Sequence, residues 1–149
     1  MTKDDRVIPI LEALWLAKKA LECMPQLPKN MKPSHIRVLH VIYKKYSENG
    51  SVRVSDVSTV MQITKPSITK LINELVDIGT VKKTVAANDK RIVQVELSPF
   101  GRECVQKYVL DYHAKLADYF SELDQEKYFS MIETIEFVYQ SMKTIAKKS

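Results

Sequence analysis

The pattern of apolar positions predicts a mainly α-helical chain with one small β element. Residues 5–24 carry apolar side chains every three or four positions, which predicts a first helix. Pro25 and Pro28 end it, because proline lacks the N–H that helix continuation requires. A second helix is predicted from Pro33 to a stop near Asn49-Gly50.

Two shorter helices follow, separated by a turn of about three residues. Ser55 is the expected N-cap of the first, and Thr64 and Gly79 are the expected N-cap and C-cap of the second. The buried side of the first is predicted to comprise Val57, Val60 and Met61. In the second, Ile68, Leu71, Ile72, Leu75 and Ile78 form one apolar stripe. A short helix, a tight turn and a second helix make up a helix-turn-helix.

A β-hairpin is predicted over residues 81–97, where apolar and polar positions alternate on both sides of a turn at 88–91. This turn carries Lys90 and Arg91, whose charged side chains do not contribute to an apolar core. On an unrelated hairpin they would simply be a solvated charged turn. Beside a helix-turn-helix they form a basic arm that suits a DNA backbone or minor groove.

The outer face of the 64–75 helix carries polar side chains of the types that reach phosphates and base edges. They are Lys65, Ser67, Thr69, Lys70 and Asn73. Lysine donates to guanine, asparagine pairs bidentately with adenine, and serine and threonine can hydrogen-bond to either base. A solvated helix surface also carries such residues. Together with the basic hairpin, however, they favour one docking geometry, with the helix in the major groove and the arm in the adjacent minor groove.

Both ends of the chain have apolar faces that are wider than one packing partner needs. Ser98-Pro99 opens a long helix, and a break is predicted near residues 121–124. The last helix has two apolar seams, one at positions 128, 132, 135, 139, 142 and 146 and the other at 131, 135, 138, 142 and 145. We therefore expect residues 5–24 and 101–147 to be dimerisation helices, with burial inside a single domain as the alternative. The expected interface residues are Leu11, Leu14, Ile135 and Met142.

Composition limits the remaining choices. The length of 149 residues predicts a single domain, and the net charge of +5 permits nucleic-acid binding without proving it. Residues 51–91 alone carry seven cations and four anions, a net +3. The two cysteines are not arranged as a disulfide framework, and the charged N-terminus predicts neither a signal peptide nor a membrane span. We expect a cytoplasmic protein with no membrane partner.

Neither catalysis nor a cofactor is predicted. The chain has no nucleophile-elbow, phosphate-loop or zinc-protease motif, and its three histidines do not have metal-ligand spacing. The expected partners are double-stranded DNA and a second copy of the chain.

Several segments resemble the MarR family of bacterial winged-helix regulators: 69–75, Gly79, Val81, 89–91 and 95–101. The most specific is the wing pattern Asp89-Lys90-Arg91 followed by a Leu-Ser-x-x-Gly helix start. The resemblance covers the whole chain, 1–149, with a winged helix-turn-helix core at 33–100. It implies a homodimer on a pseudopalindromic operator, major-groove contacts from the 64–75 helix, a minor-groove contact from Arg91, and Asp89 orienting the wing.

We expect a sequence-specific repressor that releases DNA when an effector binds. The resemblance allows a small aromatic effector in a cleft beside Trp15, His35, Tyr43, Tyr46, Tyr108 or Tyr112, although each of these residues also reads as ordinary packing. Two other functions remain open. One is a redox-sensing regulator that works through Cys23, although a buried, inert thiol is the simpler expectation. The other is a winged helix that serves as a protein-interaction module.

Overall fold

The computed structural model describes residues 2–149, which divide into one compact unit that ends at Tyr112 and a second, His113–Ser149. The first unit begins with a 3-10 turn at Lys3–Arg6. Its regular elements are α1 Val7–Glu22, α2 Pro33–Asn49, α3 Val54–Met61, α4 Lys65–Ile78, β1 Val81–Ala86, β2 Asp89–Leu97 and α5 Pro99–Val105. A π-helical segment follows at Gln106–Asp111, and the chain continues through α6 Tyr112–Phe120 and α7 Gln125–Lys148. The mainly helical fold class with a small β wing is confirmed.

The core of the first unit is apolar and forms where α2, α3, α4 and the wing meet. Its fully buried members include Leu39, Ile42, Val57, Ile68 and Leu75. The predicted stripe on α4 is confirmed, since Ile68, Ile72 and Leu75 are buried and Leu71 and Ile78 pack against them. This burial fixes which face of α4 points inward and leaves its polar face in solvent.

Side-chain hydrogen bonds to free backbone N–H groups fix where α3 and α4 begin. The N-cap of α4 is the predicted residue, and that of α3 is not. Thr64 caps α4, as predicted, because its side chain accepts the N–H of Ser67. The prediction for α3 is wrong: the helix starts at Val54, with Arg53 rather than Ser55 at the N-cap. The reason is that the Asp56 carboxylate accepts the backbone N–H of Arg53 at 2.9 Å. Val60, predicted to be buried, is 44% exposed.

The start of α2 is held by a buried histidine. His35 Nδ1 accepts the backbone N–H of Lys32 at 2.9 Å, which places the ring proton on Nε2. Nε2 lies 3.3 Å from Glu74 Oε1 on α4. His35 therefore links the first turn of α2 to α4, and with 1% exposure it belongs to the core rather than to a ligand cleft.

The wing is an antiparallel hairpin in which Val81 pairs with Leu97 and Val85 with Val93. The backbone at Val52, just before α3, also pairs with the hairpin, because the N–H of Val95 donates to the carbonyl of Val52 at 2.9 Å. The predicted turn at 88–91 is wrong in its position. The turn residues are Ala87 and Asn88, and the register shifts so that Ala86 pairs with Asp89. Residues 90–92 are therefore extra on β2, as in a β-bulge.

The junction between α4 and α5 is tightly packed. Ser98 caps α5 by accepting the N–H of Gly101 at 3.1 Å, and its hydroxyl donates to the Gly79 carbonyl at 2.6 Å. The N–H of Ser98 donates to the carbonyl of Thr80, which is fully buried. These bonds join the end of α4 to the base of the wing.

The long helix predicted after Ser98 does not run as a regular α-helix, because α5 passes into the π-helical segment. Tyr108 and Tyr112 donate hydrogen bonds from their hydroxyls to the backbone carbonyls of Gln26 and Cys23, at 3.3 Å and 2.8 Å. Both side chains thus hold the segment that joins α1 and α2.

Two helices leave broad apolar faces uncovered within the described residues. No residue of α1 is buried, and Leu21 is 75% exposed. Of the expected interface residues on α1, Leu11 and Leu14 are half-buried. In the second unit, no residue of α7 is buried, and Ile135 and Met142 are exposed.

Candidate nucleic-acid interface

The polar face of α4 is exposed along its N-terminal half, on the side opposite the buried stripe. Lys65, Ser67, Thr69, Lys70 and Asn73 are all exposed. Ser67 also takes part in the cap, since its hydroxyl lies 3.0 Å from Thr64 Oγ1. The first turn contains no acidic side chain. The exposed face therefore presents donors and positive charge beside the positive end of the helix dipole.

At the start of β2, a carboxylate holds the wing arginine. Asp89 accepts the backbone N–H of Arg91 at 3.0 Å, and also Nε at 3.1 Å and Nη2 at 3.2 Å. Hydrogen bonds from the Arg91 side chain, and then from its backbone, lower the pKa of Asp89 below its usual value. Asp89 is therefore a carboxylate at neutral pH. The side chain of Arg91 is 90% exposed, although the hydrogen bonds to Asp89 set the direction of its guanidinium group.

A cavity of about 160 Å³ lies between the first turn of α3, the polar face of α4 and the wing. Four cationic residues line it, namely Arg53, Lys65, Lys83 and Arg91. Thr69 contributes a hydroxyl, and Ile92 and Val93 are among its apolar residues. The structure thus brings Lys65, Thr69 and Arg91 together in one basic groove, whereas Lys70 and Asn73 line the neighbouring exposed face of α4.

Two residues of this surface, Arg53 and Lys83, are not among the site residues predicted from the sequence. Arg53 precedes α3, and Lys83 lies on β1, where Lys83 Nζ donates to Asn73 Oδ1 at 2.7 Å. The position of Lys83 could have been predicted, because period-two alternation places it on the same face of β1 as the buried Val81. Lys90 is exposed on the extra stretch of β2.

The two cysteines differ in their surroundings. Cys104 is buried, and burial raises the pKa of its thiol, so it is protonated at neutral pH. Cys23 is exposed, so the expectation of a buried thiol there is wrong. The reason is that α1 ends at Glu22 and Cys23 follows it as the C-cap, away from the core.

Among residues 2–149, no group of three or more His, Cys, Asp or Glu side chains is placed to hold a metal ion. In the same part of the chain, no helix combines the length and the apolar character needed to cross a bilayer.

Comparisons with known proteins agree with this architecture. Residues 29–92 match the model of the MarR family. An uncharacterised HTH-type transcriptional regulator of Bacillus subtilis (strain 168), YhbI, is 24% identical over 127 residues, which is 83% of this chain and 82% of the relative.

Two solved structures share the fold along nearly the whole chain. The Staphylococcus aureus MepR–DNA complex superposes with a TM-score of 0.67 at 16% identity, covering 95% of this chain and 99% of MepR. PcaV of Streptomyces coelicolor, solved with its natural ligand, superposes with a TM-score of 0.70 at 14% identity, covering 95% and 99%. The winged helix-turn-helix segment of this chain, residues 29–92, thus matches the MarR family, and the chain shares its fold with these two solved structures.

Proposed function

We propose that this protein is a homodimeric repressor that binds a pseudopalindromic DNA operator and releases it when a small effector binds. Each subunit places the polar face of α4 in the major groove and the wing in the adjacent minor groove. Lys65, Ser67, Thr69, Lys70 and Asn73 contact phosphates and base edges, and Lys90 and Arg91 contact the minor groove or its phosphates.

The observation that carries the proposal is the basic groove between α4 and the wing. Arg53, Lys65, Lys83 and Arg91 come from four separate places in the sequence and line one cavity. Asp89 pairs with one of these cations, Arg91, and the groove keeps a net positive charge that favours the binding of a further anion. A phosphate backbone supplies a continuous row of such anions. MepR, which shares this fold, was solved in complex with DNA, and this similarity supports DNA binding by the present chain.

Dimerisation is supported by the uncovered apolar faces of α1 and α7. Soluble monomers rarely leave contiguous apolar surface of this extent in water. In α7, Ile135 and Met142 belong to both apolar seams and are exposed. A second copy of the chain has the same apolar surface and can pack against it. Two recognition helices held by one dimer then meet half-sites about one helical turn apart.

Release by an effector follows from the same geometry. A rigid-body shift that changes the separation of the two recognition helices prevents both from contacting their half-sites. PcaV, which shares this fold, was solved with its natural ligand, and this similarity supports the binding of a small effector by the present chain.

The proposal is tested by selecting bound duplexes from a random library with the full-length protein at near-physiological salt. We expect a two-fold symmetric motif. We also expect the logarithm of the affinity to fall linearly with the logarithm of salt concentration, by about −0.9 per neutralised phosphate. Weak binding that is insensitive both to sequence and to salt would instead support a protein-interaction module.

Replacing Arg91 with alanine is expected to weaken binding to the selected operator about tenfold, most strongly where the flanks are A·T-rich and the minor groove is narrow. The matched variant Arg91→Lys keeps the charge but loses the two-nitrogen contact with Asp89. It should therefore recover only part of the affinity. Equal affinities of all three proteins, measured by fluorescence anisotropy, would contradict the proposed role of the wing.

The alternative of a redox-sensing regulator that works through Cys23 stays a prediction, and the Cys23→Ser variant tests it. The exposure of Cys23 meets one requirement of a sensing thiol. For the effector-responsive repressor we expect peroxide to leave operator binding unchanged in both the parent and the variant. A peroxide response that the parent shows and Cys23→Ser lacks would favour the redox mechanism.

A further inference from the structure

The recognition helix and the wing are tied together by one short side-chain contact on the exposed surface. Lys83 Nζ on β1 donates to Asn73 Oδ1 on α4 at 2.7 Å, and both side chains are exposed. An ammonium group has three donors and no acceptor, so only the oxygen of the amide can face it. The orientation of the Asn73 amide is therefore set by Lys83.

This orientation changes what Asn73 offers to a base. A bidentate pair with adenine needs the amide oxygen to accept from N6 while the amide nitrogen donates to N7. At Asn73 one lone pair of the oxygen accepts from Lys83, and the ammonium charge repels the amino hydrogens of an adenine N6 that approaches the other lone pair. The pair of side chains therefore presents mainly donors to a base, namely the amide N–H groups of Asn73 and the other ammonium hydrogens of Lys83.

Adjacent donors match guanine, whose major-groove edge presents two acceptors, O6 and N7. We propose that Lys83 is a specificity-determining residue of the wing, which turns Asn73 from an adenine reader into part of a donor pair that selects guanine. The inference rests on the proposed DNA-binding function and assigns the preferred base at one position of each half-site.

The test compares four full-length proteins on the operator selected by the parent: parent, Asn73→Ala, Lys83→Met and the control Lys82→Met. The affinity of each protein is measured for every single base-pair substitution of one half-site. Asn73→Ala identifies the position that Asn73 reads, because the preference disappears there. Lys82→Met removes the same charge from a neighbouring residue of β1 that projects from the opposite face of the strand.

At the position identified in this way, we expect the parent to prefer guanine over adenine by about tenfold. Lys83→Met should remove or reverse this preference and leave the base preferences at the other positions of the half-site unchanged. Lys82→Met should keep the guanine preference, and the loss of its charge should change the affinity for all sequences by the same factor.

Two results would overturn the inference while the proposed function stands: a parent that prefers adenine at this position, or a guanine preference that Lys83→Met leaves intact. If the parent enriches no motif from the library, the proposed function fails, and the assignment of Lys83 fails with it.

Discussion

The Gly101→Ala variant is expected to be destabilised by about 3 kcal/mol or more, near the upper end of what overpacking a buried site costs. Gly101 is buried in α5, and a Cβ built there falls against the backbone carbonyl oxygen of Thr80, with the carbonyl carbon at 3.0 Å. That oxygen cannot move aside freely, because it accepts the N–H of Ser98 at 2.9 Å. The usual effect of Gly→Ala inside a helix has the opposite sign, a gain of about 0.5–1 kcal/mol.

The measurement is urea unfolding at a fixed protomer concentration, since dimerisation would add to the apparent stability. Gly50→Ala is the matched control. A Cβ at Gly50 meets no atom within 4 Å, but the backbone has φ +73°. Its expected cost is only the left-handed strain of about 1–2 kcal/mol. An unfolding midpoint for Gly101→Ala at or above that of the parent would show that α5 can move away from Thr80.

The Ile135→Glu variant is expected to be monomeric and to bind the operator at least about 100-fold more weakly, because the avidity of two linked recognition helices is lost. Ile135 belongs to both apolar seams of α7 and is 41% exposed in the single chain. A carboxylate there would have to lose its hydration inside an apolar interface without a charge partner. Light scattering after size-exclusion chromatography gives the mass, and anisotropy gives the affinity.

Gln140→Glu adds the same charge to an exposed position of α7 outside both seams. We expect this control to remain dimeric and to keep the affinity of the parent within about twofold, as surface substitutions usually do. A stable dimer of the Ile135→Glu variant with full operator affinity would remove α7 from the proposed interface.

Features that depend on neighbours in the chain were predictable from the sequence. The Thr64 cap, the Gly79 stop, the stripe on α4 and the proline stops after α1 depend on residues at most a few positions apart. Their energetics are local: a cap side chain satisfies a backbone donor within its own turn, and an apolar stripe follows the helical repeat. For the same reason, the exposed residues of α4 could be named in advance.

Errors appeared where two local signals competed or where a strand departed from regular pairing. Ser55 looked like a cap, but Asp56 reaches back to the N–H of Arg53 and starts α3 earlier. The turn of the wing shifted because residues 90–92 are extra on β2, and no simple alternation reveals a bulge of that kind.

The sequence by itself determined the helices, the hairpin, the polar face of α4 and the resemblance to the MarR family, since each follows from short-range patterns. Only the tertiary structure decided that Arg53 and Lys83 join the basic groove, that His35 connects α2 to Glu74, and that Gly101 sits against Thr80. These contacts join residues from about 10 to 40 positions apart, and the packing of the apolar core sets their distances. Local sequence carries the residue types at such a site but not the geometry that brings them together.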